Sequence, residues 1–221
     1  MRTLTAAIGT AMLGGMELTD AIRGRRMIRS YDADRPVARE LLDDLLDLAV
    51  RAPSAGYSQG WQFLVLDDIT STRAFWTATA EDREPNRWLD RLQTAPVLIV
   101  CFSDKDAYLD RYAEPDKGWT DRDEARWPVP YWDIDTGMAA LLMLLGATDA
   151  GLGACFFGVP PEKWGPMRAA FGVPERFRPV GVVSLGYPAP DVRSPSLARG
   201  RRAHSDVVSY GSFTSPSPDT A

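Results

Sequence analysis

The segment DIDTGMAALLMLLGATDAG, residues 133–151, constrains this chain more than any other. It has the length and residue choice of a helix, and from Ile134 to Ala150 it is apolar on nearly all sides, so it has no face to offer to water. Such a helix must be buried, either inside its own domain or against a second subunit. It does not read as a membrane span, because the longest apolar run, Gly137 to Ala147, falls far short of the roughly 18 residues a span needs. The chain therefore reads as soluble.

The elements around that helix alternate. MELTDAIRGRR reads as a short helix and RPVARELLDDLLDLAVRA as a longer one, with Pro36 in its first turn and Leu41, Leu42, Leu45, Leu46, Leu48 and Ala49 on one face. WQFLVLDD and PVLIVCFSD read as strands, with helices over Thr70 to Ala80 and Pro85 to Gln93 between them. EPDKGWTDRDEARWPVPYW is charged, aromatic and proline-containing, the composition of a lid or insertion. After the central helix come strand GACFFG, helix PEKWGPMRAAFG and strand RFRPVGVVSLGYP. With 221 residues, 45% of them hydrophobic, and no repeat or linker, one α+β domain is expected. Residues 1–15 read as a mobile N-terminal extension, 16–213 as the domain, and 214–221 as a disordered tail.

Several chemistries can be set aside. A net charge of -5 and the lack of long Lys/Arg runs argue against a nucleic-acid partner. The only histidine, His204, lies in the polar run RGRRAHSD, which leaves no basis for a catalytic triad or a zinc set. Cys101 and Cys155 sit in apolar runs and read as core thiols, implying a reducing, cytoplasmic setting. Neither a phosphate-binding P-loop nor a dinucleotide G-x-G-x-x-G is present. A chain with so few acids, bases and nucleophiles in telling positions does little difficult chemistry unaided, which points to a cofactor as the source of reactivity.

Two features carry the remaining signal. In GRRMIRSYD, Arg25 and Arg29 share a face whether the segment is helix or strand, and with Arg26 they form a cationic cluster suited to a phosphate. In PSAGYSQG, residues 53–60, a turn-rich loop breaks the helix and leads straight into a strand, a frequent address for binding residues.

These motifs, taken in order with GLGACFFGVPPEKW, PVGVVSLGYP and RGRRAHSDVV, resemble the nitroreductase family of FMN-dependent oxidoreductases over Met16 to about Phe213. The resemblance implies a central mixed, mostly antiparallel sheet wrapped by helices, in an intertwined homodimer with FMN at the interface. It assigns Arg25 and Arg26 to the phosphate and ribityl end, with Met27 standing where a serine is usual, and Arg29 to the flavin ring. It places Pro53, Ser54, Ala55, Tyr57 and Gln59 in the flavin loop, where Tyr57 replaces a usual asparagine and Gly60 a usual proline. Phe156, Phe157, Gly158 and Val159 become ring contacts, Gly158 matching a glutamate of many relatives. Arg199 and Arg201, with Arg202 as rival, match a basic cluster returning to the phosphate. Tyr57, Trp119, Trp127, Tyr131 and Trp132 are the candidate walls of the substrate pocket.

The implied activity moves electrons from NADH or NADPH to an electrophilic aromatic, quinone or activated-alkene acceptor by a ping-pong route. The same resemblance leaves room for an FMN-dependent dehydrogenase or oxidase of a natural-product or peptide substrate, or a flavin binder without turnover. The expected partners are a small-molecule substrate and a second copy of the chain, with neither nucleic acid nor membrane.

Overall fold

The computed structural model describes residues 15–80, 84, 86–192 and 194–213, in two units that divide after Pro190. The expected extension over 1–15 and tail over 214–221 lie, but for Gly15, outside the described residues. In the larger unit a four-stranded sheet has the order β1-β2-β4-β3, with β1 Trp61–Leu66, β2 Val97–Asp104, β3 Gly153–Phe157 and β4 Phe177–Gly186. All the ladders are antiparallel. One isolated parallel bridge, Met27 to Ala154, lies at the β3 edge outside the four strands.

Strand β2 is the centre of the core. Every residue from Val97 to Ser103 is buried, and alternation sends Val97, Ile99 and Cys101 to one face and Leu98, Val100 and Phe102 to the other. Burying each such side chain stabilises by about 1.5–3 kcal/mol. Complete burial also pushes the Cys101 thiol up to about 12, so it stays protonated and inert.

The first face packs against α2 (Arg39–Ala49) and α6 (Tyr131–Asp149), through Leu42, Leu45, Met143 and Ala147 among others. A Cβ at Gly146 would sit 2.7 Å from Leu45 Cδ2 and 2.8 Å from Leu48 Cδ1, so any side chain there would have to displace these two leucines where the helices cross. The opposite face packs against α3 (Ile69–Ala80) and α7 (Trp164–Phe171), through Phe75 and Met167. Two short helices, α1 (Leu18–Gly24) and α4 (Arg87–Leu92), and a longer one, α5 (Lys105–Ala113), complete the unit.

Two expectations are corrected and one helix is added. Helix α2 starts at Arg39, behind an extended Ala38, so Pro36 lies before the helix and outside its first turn. Lys105–Ala113 is helical, capped where the Asp104 side chain accepts the Asp106 N–H; its charged surface and the adjacency of Tyr108 and Leu109 conceal the helical period. The central helix begins at Tyr131, so Tyr131 and Trp132 belong to its first turn and are not part of the insertion.

Candidate functional site

The arginine segment runs along the outer edge of β3. Helix α1 ends at Gly24, Arg25 turns extended, and the Ile28 N–H donates to the Ala154 carbonyl at 2.9 Å. Ile28 packs so close to Gly153 that a Cβ there would sit 2.8 Å from Ile28 Cγ2. Met27 Sδ accepts the Phe156 N–H at 3.4 Å, so the residue standing in for a hydroxyl ties the arginine segment to the strand before Gly158. Arg29 Nη1 donates to the Met27 carbonyl at 3.2 Å, and Arg26 is exposed.

Arg25 is the anomaly. Its Nη1 is buried and has no hydrogen-bond partner. A guanidinium stays charged at any working pH, and a buried donor left unmade costs about 1–3 kcal/mol. Such an atom fits an anion brought from outside, and an oxygen of a phosphate is the matching acceptor.

Beyond Met27 the strand carries the predicted ring contacts. Phe156 covers Gly181, where any Cβ would fall inside its ring, and Phe157 stacks on Trp76 with centroids 5.7 Å apart and planes at 12°. A Cβ at Gly158 would meet nothing within 4 Å, and Val159 is buried with its carbonyl accepting Trp164 Nε1–H.

The second predicted region, residues 53–60, is held in a strained shape. Gly56, Tyr57 and Gln59 have φ of 62°, 59° and 50°. For the two non-glycine residues that conformation costs about 1–3 kcal/mol each, so the surroundings must impose it. They do so from two sides. Asp135, buried on the first turns of α6, accepts the Ala55 N–H at 2.8 Å and the Tyr108 hydroxyl at 2.7 Å, both on Oδ2. Arg111 Nε donates to the Gly56 carbonyl at 2.9 Å, while Asp116 engages the same guanidinium. Within the loop Ser54 Oγ accepts the Gln59 N–H. The Tyr108 ring packs on Gly60, where a Cβ would sit 2.5 Å from it and 2.7 Å from the Asp104 carbonyl. Burial, then the bond to Asp135, pushes the Tyr108 phenol far above its ordinary value. Tyr57 itself projects outward, 76% exposed.

Four of the five predicted pocket walls, all but the outward-facing Tyr57, come together as a packed cluster. Trp127 lies 4.7 Å from Tyr112, 5.6 Å from Trp119, and 6.0 Å from both Tyr131 and Trp132, centroid to centroid. Since Tyr112 also lies where a Gly56 side chain would be, the insertion and the loop share one aromatic support.

In the smaller unit, residues 191–213 hold short helical turns at Pro195–Arg199 and His204–Asp206. Arg199 and Arg201 are exposed, and Arg202 Nη2 donates to the Asp206 carbonyl at 2.8 Å.

One chain does not gather the arginine segment and the loop at one point. Helix α1 lies at the far end of α6, where the Met16 N–H donates to Asp149 Oδ1, whereas the loop hangs on Asp135. From Asp135 to Thr148, beside Gly24, α6 rises about 20 Å at 1.5 Å per residue. Pro53, exposed, stays with the loop.

Asp135, Tyr108 and Arg111, which shape the loop, escape sequence reasoning, as do Trp76 and Trp88 beside Phe157. For Asp135 a signal exists: an acid on the apolar side of a helix with Ala139 and Met143 is rare unless its carboxylate has partners. Among the described residues no group of His, Cys, Asp and Glu is arranged to hold a metal, and no helix is long and apolar enough to cross a membrane.

The fold and this distribution of residues define an α+β oxidoreductase scaffold whose reactivity comes from a bound cofactor. The nitroreductase family model matches residues 22–187, and the chain belongs to that family. A relative from Methanothermobacter thermautotrophicus, whose name carries NADH dehydrogenase and NAD(P)H nitroreductase, is 31% identical, with 86% of each chain covered. The Thermus thermophilus NADH dehydrogenase is 31% identical, over 81% of this chain and 90% of its own. Among solved structures, an FMN complex from Desulfovibrio desulfuricans aligns with a TM-score of 0.66 at 25% identity, covering 90% of this chain and 99% of that one.

Proposed function

We propose that the protein is an FMN-dependent oxidoreductase that passes electrons from NADH or NADPH to an electrophilic aromatic, quinone or activated-alkene acceptor. The observation that carries this reading is the buried, partnerless Arg25 Nη1 beside the edge of β3. FMN, when bound, would supply the two-electron redox chemistry between the nicotinamide and the acceptor. The chain's own residues bind and orient. Arg25 and Arg26 hold the phosphate, and Arg29 sets a cation near the ring, where it favours the negatively charged reduced form. Met27 Sδ fixes the Phe156 amide and so the strand that carries Phe157, Gly158 and Val159 toward the ring. Ser54 and Gln59 meet the flavin's polar edge from a loop already bent into place, and Tyr57 presents its phenol to the substrate.

A second copy of the chain completes the site in this reading. The loop of one copy faces the arginine segment of the other, which resolves their separation along α6. The surface for that contact is an apolar stripe on α6. Tyr131, Ile134, Met138 and Leu141 are 44%, 38%, 39% and 47% exposed on a helix buried on its other sides.

Purified protein should be yellow and should oxidise NADH or NADPH when given a quinone. Protein that stays colourless after incubation with FMN would overturn the proposal.

A further inference from the structure

The aromatic cluster that supports the 53–60 loop has an outer and an inner end. At the outer end stand Trp119 and Trp127 of the insertion, both half-buried, and the exposed Tyr131. At the inner end is Tyr108 of α5, fully buried, its ring centroid 5.9 Å from Trp127 and 6.1 Å from Trp132. Each step between the ends is a contact of rings, from Trp119 to Trp127 at 5.6 Å and on to Tyr108. Two polar details set the ends apart. Trp127 Nε1 is buried and has no hydrogen-bond partner. The Tyr108 hydroxyl donates to Asp135 Oδ2 at 2.7 Å, and the same oxygen accepts the Ala55 N–H, the pattern of an ionised carboxyl group. Tyr112 and Tyr131 also touch Trp127, but among the described residues Tyr108 is the one tyrosine of the cluster that gives its hydroxyl to a carboxylate.

These details make the two ends different places for a missing electron. Loss of an electron from Trp127 leaves a positive charge on a half-buried indole whose N–H has nothing to take its proton, a costly state. Loss of an electron from Tyr108 turns the phenol into a strong acid, and its proton has Asp135 in hydrogen-bond contact. The products are a neutral tyrosyl radical and a neutral carboxylic acid. The inner end thus gives up a buried charge where the outer end gains one.

We infer that the cluster is a one-electron relay, in which a radical oxidant takes an electron from the insertion's tryptophans and the vacancy passes inward to rest on Tyr108. The oxidant is reduced by one electron at Trp127. Trp127 recovers that electron from Tyr108, and the Tyr108 O–H bond breaks as its proton joins Asp135. A small-molecule reductant such as ascorbate returns one electron through the same rings, and Asp135 returns the proton. The relay thus holds a radical at a buried residue from which the chain can be restored. It goes beyond the flavin reading and does not depend on it, since oxidised flavin has no electron to give up.

The test uses the full chain, loaded with oxidised FMN, in azide solution under pulse radiolysis, where the azide radical removes single electrons chiefly from tryptophan. Tryptophanyl and tyrosyl radicals are told apart by their visible absorption, while the oxidised flavin band stays constant. The parent should show tryptophanyl radical decaying as tyrosyl radical grows, at a rate independent of protein and of buffer concentration. Tyr108→Phe should remove this phase, whereas Tyr112→Phe and Tyr131→Phe should keep it. Asp135→Asn, whose amide cannot take the proton, should slow it by about tenfold. A parent without the phase, a phase that survives Tyr108→Phe or Asp135→Asn unchanged, or one lost in Tyr112→Phe overturns the relay. So does a rate that rises with buffer concentration, because the proton then leaves for solvent; this series on the parent decides alone if a variant fails to fold. Protein that takes up no FMN would overturn the functional reading and leave this test as it stands.

Discussion

The arginine segment and the 53–60 loop are prepared for a ligand in opposite ways. The segment has a relaxed backbone, paired along β3, and keeps its unmet demand in one side chain, Arg25. The loop has satisfied its polar groups, through Asp135 and Arg111, and keeps its cost in the backbone at Tyr57 and Gln59. The difference teaches where each region is vulnerable. Removing the side chain of Arg25 should harm binding and spare the fold, whereas removing what holds the loop should harm the fold first.

The largest effect is expected from Asp135→Ala. It leaves the Ala55 N–H and the Tyr108 hydroxyl buried without an acceptor, so urea unfolding should show a loss of about 3–5 kcal/mol. Asp135→Asn keeps an oxygen where Oδ2 stands and should lose less than half as much. If the two variants are equally destabilised, the loop is not held by that oxygen. Next is Arg25→Ala, for which FMN titration should give affinity lower by about 2–3 kcal/mol, with unfolding unchanged or slightly in its favour. A variant that purifies fully yellow would break the contrast between the regions.

A smaller effect follows from pH. The Tyr108 phenol is raised in the folded chain, so the unfolded chain loses its proton first, near pH 10. Its contribution to stability is complete below that pH and declines above it, by about 1.4 kcal/mol per pH unit. The Tyr108→Phe variant should show a shallower alkaline decline than the parent in the same unfolding series. The smallest effect is expected at Tyr57, where Tyr57→Gly relieves a left-handed conformation and should raise stability by about 1 kcal/mol. A decrease would mean that the phenol contributes packing the exposed ring does not show.

Much of this was legible because it is written in short-range pattern. The apolar helix, the strand PVLIVCF, the loop PSAGYSQG and the arginine cluster each declare themselves within a dozen residues. The parts that were not legible depend on partners far along the chain. Asp135 gains meaning only from Ala55 and Tyr108, 80 and 27 positions away. Trp127 reads as a lid aromatic until five rings converge on it. Trp76 and Trp88 sit in segments with ordinary helical composition, and come together only on Phe157, the last residue of β3. The separation of the arginine segment from the loop likewise has no local signature, since it is a distance along α6.

That separation leads to the central claim, that one site is made from the arginine segment of one copy and the loop of another. The direct measurement is the FMN content of a mixed dimer, assembled from an Arg25→Ala chain and a Ser54→Trp chain, at an FMN concentration that loads the parent dimer and leaves each variant's own dimer empty. If the two halves come from different copies, one site in the mixed dimer holds both substitutions and the other holds neither. The predicted result is one FMN per two chains, and a mixed dimer with no FMN would contradict the account.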